Sequence, residues 1–244
     1  QDLVDQVNIE LVYTYGKTAK DQYGDELDAR LILLNEAAKA VFSASGVPVN
    51  LVELQRVDVG DESGLSADDV IAQMEQRTGL FADFDAKLDR KPDLIIHFGL
   101  EEVLDTGGLA NLQGSLADGI IASASAYASG LNVGVVGVDG VDELTLPHEI
   151  GHLMGLVHSK AQGEADGAFS WSRGHGINGD FVTTMGYSTA FDDAPALGYF
   201  SSPSLKCGDS EVPCGVARSD YGSGADAVLT LQTTAYQIAA ISNG

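Results

Sequence analysis

The sequence predicts an α/β chain built on a mostly parallel sheet with helices packed on it. Three observations predict it. Segments with strand alternation and segments with helical spacing follow one another up to about residue 142. The run Asp93–Leu100, DLIIHFGL, is almost wholly apolar, the pattern of a strand covered on both faces. After Ser159, Gly, Ser and Asp dominate and periodicity fades, so the remainder is irregular until one last helical stretch.

Val7–Tyr15, VNIELVYTY, alternates apolar and polar positions with β-branched and aromatic residues, which predicts a strand. Asp25–Phe42 carries Leu27, Leu31, Leu34 and Ala38 at helical spacing, with Gly46 as its stop and Pro48 forbidding continuation. Val49–Val59 reads as a second strand, and Asp58–Ser66 as an acidic loop. Ser66 is a good N-cap for a helix over Ala67–Arg77, with Asp68 and Asp69 in its first turn. Asp93–Leu100 and Val133–Val138 read as strands, and Ala225–Ile241 as the terminal helix. The stretch Gly108–Val138 has one charge, Asp118, but is too rich in Gly and Ser to be a hydrocarbon span and reads as strands and tight loops.

The chain has 244 residues, 36 acidic and 13 basic, for a net charge of −23. Such acidity argues against nucleic acid and against anionic membrane surfaces, which would repel it. With 44% hydrophobic residues there is ample core material, so this is no disordered acidic tail. A monomer is expected. The opening Gln1-Asp2-Leu3-Val4-Asp5 is no signal peptide, so the protein is either cytosolic or already relieved of a leader. Cys207 and Cys214 flank Gly208 and Pro213, where a turn could bring them into disulfide range, worth roughly 2–3 kcal/mol of loop entropy. That pairing favours an oxidising, extracellular compartment; two free buried thiols are the alternative.

The segment Pro147–Ser159, PHEIGHLMGLVHS, carries the chemistry. His148 and His152 are four apart, one turn of helix, so both imidazoles can reach one metal ion. Glu149 can reach a water on that ion without binding it. His158 lies six residues beyond His152, which an unbroken helix would turn away from the ligand face. Gly155 sits between them and tolerates the left-handed backbone that a reversal requires. The glycine and the third histidine therefore explain each other, and three of the five histidines fall in this register.

HEIGHLMGLVH matches HExxHxxGxxH, and the chain so resembles the metzincin zinc endopeptidases. Thr183-Thr184-Met185-Gly186-Tyr187-Ser188 is similar to that family's methionine turn, with Met185 following His158 by 27 residues. Gly198–Pro203 is similar to bacterial reprolysin-like and peptidyl-Asp metallopeptidases. Ser159 instead resembles matrixins, and Tyr187 astacins and serralysins. The resemblance implies a metzincin-like α/β (α+β) fold and a single catalytic domain over 1–244. Residues 1–155 would form an upper lobe, with a mixed, mostly parallel twisted sheet and the zinc helix. Residues 156–244 would form a smaller irregular lower lobe, with the methionine turn and the terminal helix. It implies one catalytic zinc held by His148, His152 and His158, Glu149 as general base, Met185 as the floor of the site, and protein or peptide substrates. Gly108-Leu109-Ala110-Asn111-Leu112 sits where that family has its substrate-binding edge strand, with a plain surface loop as the alternative. Tyr187 would be a transition-state hydrogen-bond donor or a zinc ligand, or a tyrosine packed in the lower lobe.

Two other readings stand beside this one. A thermolysin-type zinc hydrolase would take a distant glutamate as third ligand, but Glu164 is only 12 residues past His152, shorter than that pattern, and His158 is better placed. A non-catalytic module would hold a structural zinc with four protein ligands and would need no Glu149. Remaining signals carry less. Gly174–Gly179 matches GxGxxG but follows no convincing strand and opens no helix. His97 reads as a core residue, and His175 as a loop residue near the site. Lys206-Cys207-Gly208-Asp209 lies after the catalytic segment and is no inhibitory cysteine motif. The acidic clusters Asp21–Asp28, Asp58–Glu62 and Asp192–Asp193 could hold calcium, though none is an EF-hand loop, and a solvated surface is the alternative.

Overall fold

Strand Leu94–Gly99 is buried at every position, and it forms the middle of the sheet. The computed structural model describes residues 6–114, 118–121, 130, 132–140, 142–163, 166–208 and 212–242. In chain order its first half runs β1 (Val7–Gly16), α1 (Lys17–Tyr23), α2 (Leu27–Ala44), β2 (Val49–Gly60), α3 (Ala67–Gln76) and β3 (Leu94–Gly99), then α4 (Glu101–Leu104), β4 (Gly108–Ala110), β5 (Val133–Gly137) and α5 (Thr145–Leu153). The main sheet has the order β2-β1-β3-β5-β4. Its first four strands are parallel, and β4 runs antiparallel to β5 at the edge. The sheet is therefore mixed and mostly parallel.

Alternation along the strands sends side chains to two cores. Leu11 and Tyr13 of β1, with Leu94, Ile96 and Phe98 of β3, pack against the buried leucines of α2 and the apolar face of α5. Val12, Ile95, Val133 and Val135 point the other way, onto Val70, Ile71 and Met74 of α3 and onto Phe81 and Phe84. Each large aliphatic side chain so buried contributes about 1.5–3 kcal/mol. Tyr13 donates a buried hydrogen bond to Asn35 (2.7 Å), pinning α2 to the central strands. Ser66 caps α3 in a reciprocal box with Asp69. Helix α1 is an addition to the sequence-based expectation; Glu62, buried, accepts from the backbone and hydroxyl of Thr18 in its first turn.

The second half holds β6 (Gly176–Ile177), β7 (Phe181–Thr183) and β8 (Ala196–Leu197) in a small sheet, the hairpin β9 (Lys206–Cys207) and β10 (Val212–Pro213), and α6 (Ala227–Ile238). Cys207 and Cys214 are joined in a disulfide. Gly174–Gly179 opens the β6–β7 hairpin and begins no helix. Thr234 of α6 donates to the carbonyl of Met154 (2.9 Å), and the backbone of Phe200 donates to Ser45 at the end of α2 (2.9 Å). The two halves are thus bonded together just behind α5. Among the described residues no helix is long and apolar enough to cross a membrane.

Candidate active site

Helix α5 carries His148, Glu149 and His152 on the sheet side of a cleft. Pro147 falls in its first turn, where the missing N–H costs no helical bond. The helix ends as the sequence predicts. Gly155 has φ +93°, and the N–H groups of Gly155 and Leu156 close back onto His152 (3.0 Å) and Gly151 (2.9 Å). A side chain at Gly155 would also meet Ala168 Cβ at 2.7 Å and Ile121 Cγ2 at 2.8 Å. This reversal returns His158 to the face that His148 and His152 share.

The three Nε2 atoms form a triangle with every side 3.1 Å. The Nδ1 atoms of His148 and His152 lie 2.7 Å from the Thr184 carbonyl and 2.9 Å from the Leu156 carbonyl. A carbonyl only accepts, so both Nδ1 atoms carry the proton and both Nε2 lone pairs face the centre. Burial holds His148 down to about 4, so its ring is neutral. Lone pairs converging in this way repel unless a cation lies among them. Three nitrogens on one tetrahedral zinc, each about 2.0–2.1 Å from it, stand about 3.3 Å apart, so the triangle fits that ion closely. Among the described residues this is the one group of three or more His, Cys, Asp or Glu side chains whose ligand atoms converge. The clusters Asp21–Asp28, Asp58–Glu62 and Asp192–Asp193 do not gather theirs, which removes the support for the calcium expectation. Glu164 lies outside the described residues, as does Asp209.

Glu149 is 4% exposed, and its Oε2 has no hydrogen-bond partner. Burial pushes its carboxyl up to about 8. An orphaned buried carboxylate oxygen beside these converging imidazole nitrogens suits a site completed by a cation and water. Behind the triangle, Met185 is fully buried, and a side chain on Gly151 of α5 would meet its Sδ at 2.5 Å. Tyr187 stands over the cluster with its ring centroid 4.5 Å from that of His158 and 5.7 Å from that of His148.

The expected substrate residues divide. Gly108, Leu109 and Ala110 form β4, whose outer edge carries no further strand among the described residues. Asn111 turns its side chain to Glu75 (2.7 Å), and Leu112 remains exposed. A cleft of about 260 Å³ flanks the Thr106–Gly108 end of β4 and a second of about 190 Å³ the Leu109–Leu112 end, and Gly108, Glu149 and Tyr187 border both. His97 is buried and bonded to Thr14 (3.0 Å), away from the cluster, and His175 packs on Phe181. Sequence reasoning missed two partners. The Thr184 carbonyl is a backbone group with no side-chain signal. Gln162 Oε1 accepts from the hydroxyl of Ser159 (2.7 Å) and from the backbone of Tyr187 (3.2 Å). Only the Ser159-x-x-Gln162 spacing, a capping box, could have pointed to it.

A helix presenting two imidazoles, a tight turn returning a third, and a buried carboxylate beside an open sheet edge are the parts of a metallopeptidase. Comparison with known proteins agrees. The model of Metallo-peptidase family M12 (Reprolysin_5) matches residues 5–201, and the chain belongs to that family of reprolysin-like zinc metallopeptidases. It is 30% identical over 265 residues to a peptidyl-Asp metalloendopeptidase of Pseudomonas aeruginosa, covering 96% of this chain and 40% of that protein. A chain in a solved chaperone–substrate complex has a TM-score of 0.70 at 18% identity, covering 98% of this chain and 35% of the other, a likeness of fold. Metalloproteinase-II from Bacteroides fragilis has a TM-score of 0.43 at 16% identity, over 63% of this chain and 44% of that one. The chain thus spans less than half the length of these relatives.

Proposed function

We propose that the chain is a secreted zinc-dependent endopeptidase of the metzincin type, acting on proteins or peptides. The observation that carries this reading is the 3.1 Å triangle of Nε2 atoms beside the unpartnered Oε2 of Glu149. His148, His152 and His158 hold the zinc. When bound, zinc supplies Lewis-acid polarisation and lowers the pKa of a water at its open position. The positive charge also favours the ionised form of Glu149 against its burial. Glu149 takes the proton of the attacking water and delivers it to the leaving amine. Tyr187, over the cluster, donates a hydrogen bond to the developing oxyanion. Met185 floors the site in the manner of a methionine turn, and the outer edge of β4 holds extended substrate by strand addition. Residues 1–155 and 156–244 act as upper and lower lobes of one catalytic domain.

The disulfide Cys207–Cys214 supports an oxidising compartment. The charge of −23 supports a monomer that avoids nucleic acid and anionic membranes. A thermolysin-type centre is disfavoured because His158 already completes the triangle, and a structural zinc because the cluster has three protein ligands and an idle carboxylate. Casein hydrolysis that is abolished by chelation and restored by zinc tests the reading. Loss of zinc in His158→Ala but not in Glu164→Ala separates it from the thermolysin type. Casein cleavage indifferent to chelator overturns it.

A further inference from the structure

We propose that the cleft at the Thr106–Gly108 end of β4 takes a basic side chain, Lys or Arg, from the residue immediately after the cleaved bond, and that Asp142 selects it. The inference rests on the endopeptidase reading and names the substrate class of the same site.

Strand geometry gives the direction. A substrate segment added to the outer edge of β4 pairs more stably antiparallel than parallel. Its N-terminal part then lies along Leu109–Leu112, and its C-terminal part along Gly108 and Thr106. Glu149 and the histidines stand between the two clefts, so the residue following the scissile bond enters the cleft bordered by Thr106, Asp142, Thr145 and Thr184.

Charge gives the specificity. Among the described residues, the one carboxylate besides Glu149 that lines this cleft is Asp142, which is exposed and pairs with no described Lys, Arg or His. All 13 Lys and Arg residues are among the described residues, and none lines the cleft. Arg30, nearest in bonding to this loop, donates to the carbonyls of Val138 (2.8 Å) and Gly140 (2.7 Å). The threonine hydroxyls are already donors within the protein: Thr106 to the Gly108 carbonyl (2.9 Å), Thr145 to Asp142 (3.1 Å) and Thr184 to Tyr199 (3.0 Å). Beside Asp142, an acidic side chain would therefore meet a carboxylate with no Lys or Arg and few free hydroxyl donors to receive it, while an ammonium or guanidinium meets the charge it needs.

The test is cleavage of a randomised peptide mixture by the zinc-loaded full chain, with cut sites read by mass spectrometry. Lys and Arg should be enriched after the cut over Leu by about two- to fivefold, the scale of a partly exposed ion pair, and Asp and Glu depleted. Asp142 Oδ1 accepts from the backbone of Leu144 (2.8 Å) ahead of α5, and Asp142→Asn keeps that acceptor while removing the charge. It should bring the Lys-to-Leu ratio to near unity. Enrichment of Asp or Glu after the cut, or a Lys preference that Asp142→Asn leaves unchanged, overturns the proposal. A chain that cuts no peptide fails at the endopeptidase reading itself, a separate result that takes the proposal with it.

Discussion

Gly108 of the edge strand lies directly against the carboxylate of Glu149. A methyl group on Gly108 would stand 2.9 Å from Glu149 Cδ and closer still to Oε1, and 2.7 Å from Thr145 Cγ2. The strand proposed to hold substrate and the group proposed to move its proton are therefore packed with no side chain between them.

Gly108→Ala should displace the Glu149 carboxylate while leaving the histidine triangle intact. A shift of about 1 Å in such a group costs on the order of a hundredfold in rate. The expected outcome is a fall in kcat on a casein-derived peptide with zinc stoichiometry unchanged. A rate equal to wild type would show that Glu149 needs no such clearance.

Gly155→Ala should loosen the return of His158. The position has φ +93°, and the new methyl would press on Ala168 and Ile121. Strain of this kind costs about 1–3 kcal/mol. Urea denaturation should register that loss, and zinc should dissociate faster, whereas Gly163→Ala, which has positive φ but meets nothing within 4 Å, should lose stability without faster zinc release.

Gln162 ties Ser159, next to the third histidine, to the backbone of Tyr187. Removing a partner that orients a metal site's neighbours costs about 10–100-fold in affinity or activity. Gln162→Ala is expected to lower kcat toward that range, and Gln162→Glu, which keeps an accepting oxygen, to recover much of it. Equal loss in both variants would contradict a role through hydrogen bonding.

His97 makes stability depend on pH. Burial lowers it from 6.5 to about 4 in the folded chain. The unfolded state therefore binds the proton first as pH falls, and stability is fully present above about 6.5 and lost progressively down to about 4, by about 3 kcal/mol. Asp93 and Asp226, raised by burial, act in the opposite sense, so the informative quantity is a difference. His97→Phe should flatten the slope of unfolding free energy between those pH values; an unchanged slope would remove His97 from the account.

Much of this centre was legible in thirteen residues. The spacing of His148, His152 and His158 predicts the triangle, and Gly155 predicts the turn that builds it, because both follow from local helix geometry. The apolar run of β3 and the alternation of β1 were legible for the same reason. Helix α1 was not, since seven residues carry too weak a period and the buried Glu62 that accepts at its start is remote in sequence. The β6–β8 sheet was hidden by strands of two or three residues in a Gly-rich stretch. The Thr184 carbonyl and Gln162 act through contacts that only the folded chain creates. The calcium expectation rested on acidic composition alone, which does not gather ligand atoms in space.

The most direct test of the central claim is the zinc content and peptidase rate of Glu149→Gln. The side chain keeps its shape and does not touch the Nε2 triangle, so zinc should bind as in wild type. Without a carboxylate to take the water's proton, peptide hydrolysis should fall by about two to four orders of magnitude. A Glu149→Gln chain that retains zinc and cleaves casein at close to the wild-type rate would contradict the account.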